Sequence, residues 1–89
     1  MRIEDRKMLE DLVLKANLDD QQFVVVAKRY GLDEKEPMKV FQIAQMLGVS
    51  DEQVRKLTRV ALFKLREVST DKPRFDSLLA QLTIMRPRS

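Results

Sequence analysis

A chain of 89 residues with 44% hydrophobic content has room for one small domain with one core, and is too apolar to be a disordered tail. It contains no cysteine and no histidine, which excludes disulfides, Cys- or His-ligated metal sites and the commonest general base, and fits a reducing, cytoplasmic compartment. The net charge of +3 is unevenly spread: residues 1–50 carry 8 Lys or Arg against 9 Asp or Glu, whereas residues 51–89 carry 9 against 5. No apolar run approaches the length of a membrane span, and the charged first residues are unlike a signal peptide.

Ile3 to Ala16 is predicted to be a helix, with Leu9, Leu12, Val13 and Ala16 on one face and Arg6, Lys7, Glu10 and Asp11 off it. Asn17-Leu18-Asp19 breaks it. Asp19 is placed to cap a second helix, and Gln22 to complete a capping box. Phe23, Val24, Ala27 and Tyr30 are expected to carry the apolar face of that helix. Val24-Val25-Val26 has low helix propensity, so a strand is the alternative there. Gly31 as a stop, with Lys28 and Arg29 complementing the dipole before it, favours the helix. Leu32 to Lys39 is expected to be a loop broken by Pro37.

The stretch Val40 to Arg66 reads as two helices joined by a tight turn. Ile43, Ala44 and Leu47 repeat at helical spacing until Gly48, which supplies the left-handed conformation a sharp turn needs. Ser50 offers a capping oxygen, and Gln53 stands where a capping box would be completed. Asp51 and Glu52 sit in the first turn, where the dipole favours acids. Val54, Leu57, Ala61 and Leu65 then make one apolar stripe. A short helix, a glycine turn and a longer helix with Arg and Lys off its apolar face form a helix-turn-helix, whose second helix enters the DNA major groove. The basic half of the chain carries that helix, as attraction to phosphate requires.

The second helix is expected to fade around Glu67-Val68-Ser69, with Thr70-Asp71-Lys72-Pro73 as linker or cap. Phe75, Leu78, Leu79 and Leu82 then form a short amphipathic helix ending before Pro87. No run reads clearly as a strand. The expected fold is all-α: a small four- to five-helix bundle with the helix-turn-helix in residues 1–68, and residues 69–89 as a linker and short helix packing on or extending it. The expected core is Leu9, Leu12, Val13, Phe23, Val24, Ala27, Ile43, Leu47, Val54, Leu57, Ala61 and Leu65. The five methionines read as gap-fillers. Capping and loop solvation account for the acidic pairs, and no Gly-rich phosphate loop, metal-ligand spacing or nucleophile motif is present. No enzyme activity, metal, cofactor or small-molecule substrate is therefore expected.

Several blocks resemble a known family. Arg29-Tyr30-Gly31-Leu32-Asp33, Pro37, Ile43-Ala44, Leu47-Gly48-Val49-Ser50, Val54-Arg55 and Ala61-Leu62-x-Lys64-Leu65-Arg66 are similar, in order and spacing, to the fourth region of housekeeping bacterial sigma factors. The likeness runs from about Leu9 to Arg66. It implies a domain that docks on the flap of the RNA polymerase β subunit, with the flap-tip helix in an apolar groove made mainly by the two helices before the helix-turn-helix. It also implies that the recognition helix reads the upstream promoter hexamer, the −35 element, and that activators, anti-sigma factors or phage proteins target the same surface.

Carried over by position, Glu52 and Arg55 are implied base contacts; Arg bonds guanine in bidentate fashion, and Glu accepts from cytosine. Lys56 replaces a usual Gln and retains reach to a phosphate or guanine. Beside these, Arg59 and Lys64 are expected on phosphates, and Arg66, like Lys64, on a phosphate or a partner, the alternative for Lys64 and Arg66 being ordinary solvated charge. Asp51 and Gln53 stand where the family usually has Arg, which implies weaker DNA affinity than a typical member. Phe41, Val60 and Phe63 replace usually charged residues. They suggest a protein contact surface, the alternative being that they pack against the C-terminal helix around Phe75 and Leu79.

Two functions follow as expectations. The chain is either a promoter-recognition domain working through Glu52, Arg55 and Lys56, or an interaction module keeping the same fold for an anti-sigma factor, an activator or the polymerase. A sigma factor also needs a domain that binds the core enzyme and melts DNA, so the chain is expected to be either an excised C-terminal piece or a freestanding small regulator.

Overall fold

Local capping chemistry divides the chain into its helices. The computed structural model describes residues 2–33 and 35–85, the last four as backbone alone; the expected stop before Pro87 and the side chain of Leu82 lie outside what is described. Five helices run α1 (Ile3–Ala16), α2 (Asp20–Tyr30), α3 (Val40–Leu47), α4 (Asp51–Val68) and α5 (Lys72–Met85), with no strand among the described residues. None of these helices is long and apolar enough to cross a membrane.

Each break has a residue that causes it. Asn17 ends α1 with φ 53°, a left-handed conformation asparagine tolerates better than most residues. Asp19 and Gln22 form the full capping box on α2: the Gln22 N–H donates to Asp19 Oδ1 at 2.8 Å, and the Asp19 N–H donates to Gln22 Oε1 at 3.2 Å. That cap carries the valine run into a helix, so the strand alternative is excluded. Lys72 opens α5 earlier than a linker through Pro73 would allow. Proline is tolerated because the first N–H groups of a helix have no intrahelical acceptor. Asp71 supplies the cap, with its Oδ1 accepting from the Arg74 N–H at 3.1 Å.

Two apolar clusters share α4. Its first half, through Val54 and Leu57, packs on Val25, Val40, Ile43 and Ala44. Its second half, through Ala61 and Leu65, packs on Leu9, Leu12, Val13, Val26 and Tyr30, and α5 closes this cluster with Phe75 and Leu78. The second helix of the helix-turn-helix is thus the spine against which all other helices lean.

Helix α2 corrects the expected core. Phe23 is 49% exposed and Val24 half-buried, whereas Val25 and Val26 are fully buried. The helix lies between the two clusters, so it buries adjacent valines on opposite sides, Val25 toward α3 and Val26 toward α1 and α5. Gln22 is buried with them, and the apolar face is rotated away from Phe23. Leu47 is likewise half-buried, packing at the edge of the α3 cluster.

The two glycines are both left-handed but differ in surroundings. A Cβ on Gly48 (φ +70°) would meet nothing within 4 Å, whereas one on Gly31 (φ +68°) would lie 2.7 Å from the Lys35 carbonyl oxygen. Gly48→Ala should therefore cost about 1–2 kcal/mol from conformation alone, and Gly31→Ala more, since backbone must also shift. Chemical denaturation of the two variants checks the order; equal losses would contradict it.

Candidate nucleic-acid interface

The turn that aims α4 is built from the backbone of α3. Gly48 donates its N–H to the Gln45 carbonyl at 3.3 Å, and Val49 donates to the Ala44 carbonyl at 3.0 Å, which closes the last turn as a left-handed C-cap does. Ser50 Oγ accepts from the Gln53 N–H at 3.1 Å and starts α4. Only this arm of the expected capping box forms, because Gln53 makes no return bond to the Ser50 N–H. Asp51 and Glu52 occupy the first turn, where negative charge is favourable.

Burial of Val54, Leu57, Thr58, Ala61 and Leu65 fixes the rotation of α4. The opposite flank presents Glu52, Arg55, Lys56 and Arg59, all exposed and without an ion-pair partner among the described residues. Glu52, Arg55 and Arg59 stand at steps of three and four, one stripe on a helix, and Lys56 lies beside them. A helix whose outer flank carries exposed cations along its first half has the charge to face a groove about 12 Å wide.

The other two cations assigned to DNA are engaged within the protein. Lys64 Nζ donates to Gln22 Oε1 at 2.9 Å, tying α4 to the cap of α2. Arg66 donates from Nε and Nη2 to the two carboxylate oxygens of Asp76, at 3.0 and 3.2 Å. These hydrogen bonds hold the Asp76 carboxyl below the usual carboxylate range and raise the Arg66 guanidinium. Because the folded-state pKa of Asp76 is depressed, the stability the pair contributes is present at neutral pH and is lost as pH falls through that range. Arg66→Ala should raise the Asp76 pKa back toward the ordinary carboxylate range, measured by carboxyl-carbon NMR; an unchanged titration would contradict the assignment.

Phe41, Val60 and Phe63 are exposed at 46%, 38% and 65%. The alternative that they pack against the C-terminal helix is overturned. Phe75 and Leu78 of α5 are buried among Leu9, Leu12 and Leu65 instead, and none of the three residues joins that cluster.

A second concave surface lies between α1 and α2. Glu10, Val13, Leu14, Phe23, Ala27, Leu32 and Asp33 line an open, mainly apolar groove of about 370 Å³. Leu14 is 82% exposed and Phe23 forms part of the lining. The available signal for Leu14 is that it is an apolar residue off the stripe of Leu9, Leu12 and Val13. At one rim, Lys28 Nζ donates to Asp33 Oδ2 at 2.7 Å, which lowers the Asp33 pKa and fastens the loop after α2.

Comparison with known proteins gives this surface a context. The family model for sigma-70, region 4 matches residues 16–67. The RNA polymerase sigma factor SigA2 of Synechococcus elongatus is 41% identical over 68 residues, which are 75% of this chain and 21% of that protein. The chain thus spans about a fifth of the length of this relative. No solved structure matched.

Proposed function

The chain belongs to the sigma-70 region 4 family, and from that premise we propose that it is a promoter-recognition domain that reads −35 DNA while held on RNA polymerase. The observation that carries this is the exposed, unpaired cationic flank of α4 directly after a capped turn. In this arrangement the first turns of α4 lie in the major groove. Arg55 donates to guanine, Glu52 accepts from cytosine, and Lys56 reaches a guanine or a phosphate. Arg59, one turn further along, meets the phosphate backbone, which positions the helix without specifying sequence. Asp51 stands beside them as a repulsive charge, so binding by the isolated chain is weak and is completed by attachment to the polymerase.

That attachment uses the groove between α1 and α2. Its apolar lining through Val13, Leu14, Phe23, Ala27 and Leu32 suits one face of an amphipathic helix, and the flap-tip helix of the polymerase β subunit is the occupant we assign. A salt-dependent shift of a promoter duplex, lost in Arg55→Ala, tests the DNA half. Absence of promoter binding even in a polymerase complex would remove it.

The exposed Phe41, Val60 and Phe63 favour a second reading, in which this surface holds a protein such as an anti-sigma factor or an activator. Phe63→Asp should then abolish capture of the partner, and Arg55→Ala should leave that capture intact. Loss of the partner in Arg55→Ala, with retention in Phe63→Asp, would contradict this second reading.

A further inference from the structure

Arg66 continues the cationic stripe of α4. It follows Arg59 by seven residues, and two turns of helix bring a side chain back to within about 20° of the same direction. From Arg55 it lies eleven residues on, about 16 Å along the axis, where a helix leaving the major groove passes the phosphate backbone. Its guanidinium fork is nevertheless filled by Asp76 through two parallel hydrogen bonds. An arginine holds a phosphate with the same fork, so carboxylate and phosphate compete for one set of donors. Both side chains are about half exposed, so the pair is open to exchange with an incoming anion.

The placing of Asp76 is not left to a mobile surface residue. Its neighbour Phe75 is fully buried among Leu9, Leu12 and Leu65 and fixes the register of α5 on α4. Helix α5 also begins at Lys72, past residue 67 where the family match ends. We propose that Asp76 acts as an internal substitute for a phosphate: α5 holds it against Arg66, removes that cation from the DNA-facing stripe and sets how tightly α4 grips a duplex. Asp76 is thus a positioning residue for the interface. The inference rests on the DNA-binding reading given above.

The test uses the whole chain and a fluorescent promoter duplex, titrated between about 50 and 200 mM salt. Asp76→Asn should tighten binding by roughly threefold to tenfold at the low end and steepen the slope of log K against log salt by about 0.9, the value for one added phosphate contact. Arg66→Ala should change little in the parent chain and should erase the gain in the Asp76→Asn background. Arg66→Lys, which cannot make the two-bond fork, is the companion variant and should also tighten binding, should Asp76→Asn prove poorly folded by circular dichroism. Equal affinity and slope in parent, Asp76→Asn and Arg66→Lys, with Arg55→Ala still weakening the complex, would overturn this proposal and leave DNA binding standing. Duplex binding absent from every variant would overturn both.

Discussion

Phe75→Ala should destabilise the domain by about 3–5 kcal/mol, the usual cost of truncating a fully enclosed phenylalanine. Phe75 is 0% exposed and belongs to the cluster of Leu9, Leu12, Val26, Tyr30, Ala61 and Leu65, so its removal leaves a cavity walled by four helices. A domain of this size has roughly 5–15 kcal/mol in total. The variant should therefore sit near its unfolding threshold at room temperature, with a melting temperature lower by more than about 12 °C. The exposed Ser77 on the same helix is the control, and Ser77→Ala should fall within about 0.5 kcal/mol of the parent. Thermal and urea unfolding followed by circular dichroism checks both. Equal effects would mean that α5 is an appendage rather than part of the core. The same variant links packing to the interface, because freeing α5 withdraws Asp76 from Arg66.

Arg55→Ala should cost about 1–3 kcal/mol of promoter affinity, the worth of one bidentate contact to a base, and should flatten the preference at one base pair. Arg55 is exposed, follows the fully buried Val54 and has no carboxylate partner among the described residues, so the change leaves the fold untouched. The comparison that gives the result meaning is Arg59→Ala. Loss of a phosphate contact weakens all duplexes alike and lowers the salt slope by about 0.9, whereas loss of a base contact narrows the gap between promoter and unrelated duplex. Binding isotherms on both duplexes at three salt concentrations separate the two. A uniform loss in Arg55→Ala would move it from base to phosphate.

What the sequence displays and what it conceals divide along a physical line. Helix ends are local chemistry. Asn17, Asp19 with Gln22, Gly31, Gly48 and Ser50 act on backbone groups within a few residues, and each marks a boundary that can be read without the fold. The stripe of α4 is equally legible, because Val54, Leu57, Ala61 and Leu65 admit one amphipathic rotation. Three consecutive valines in α2 admit several, and only the position of that helix between two clusters selects Val25 and Val26 over Phe23. For the same reason the exposed Leu14 and Phe23 become a groove only once α1 and α2 are side by side. The partners of Lys64 and Arg66 are long-range as well. Gln22 is 42 residues from Lys64, and Asp76 reaches Arg66 across a helix break. Spacing places Arg66 on the stripe of Arg55 and Arg59 and charge alone groups Lys64 with them; the bonds to Asp76 and Gln22 then engage both within the protein.

The consequence for function is a recognition helix with a short working face. Its first turns present Glu52, Arg55, Lys56 and Arg59 outward; its last turns are tied to α2 and α5. Between them Val60 and Phe63 are exposed and apolar, a surface that gains nothing from phosphate.

A photoreactive side chain placed at Lys56, in a complex of this chain with core polymerase and promoter, tests the assignment of α4 most directly. Crosslinks to the bases of the upstream duplex are expected from position 56, and to polymerase from the same reagent at Leu14. Crosslinks from position 56 to protein alone, with the duplex unlabelled, would contradict it.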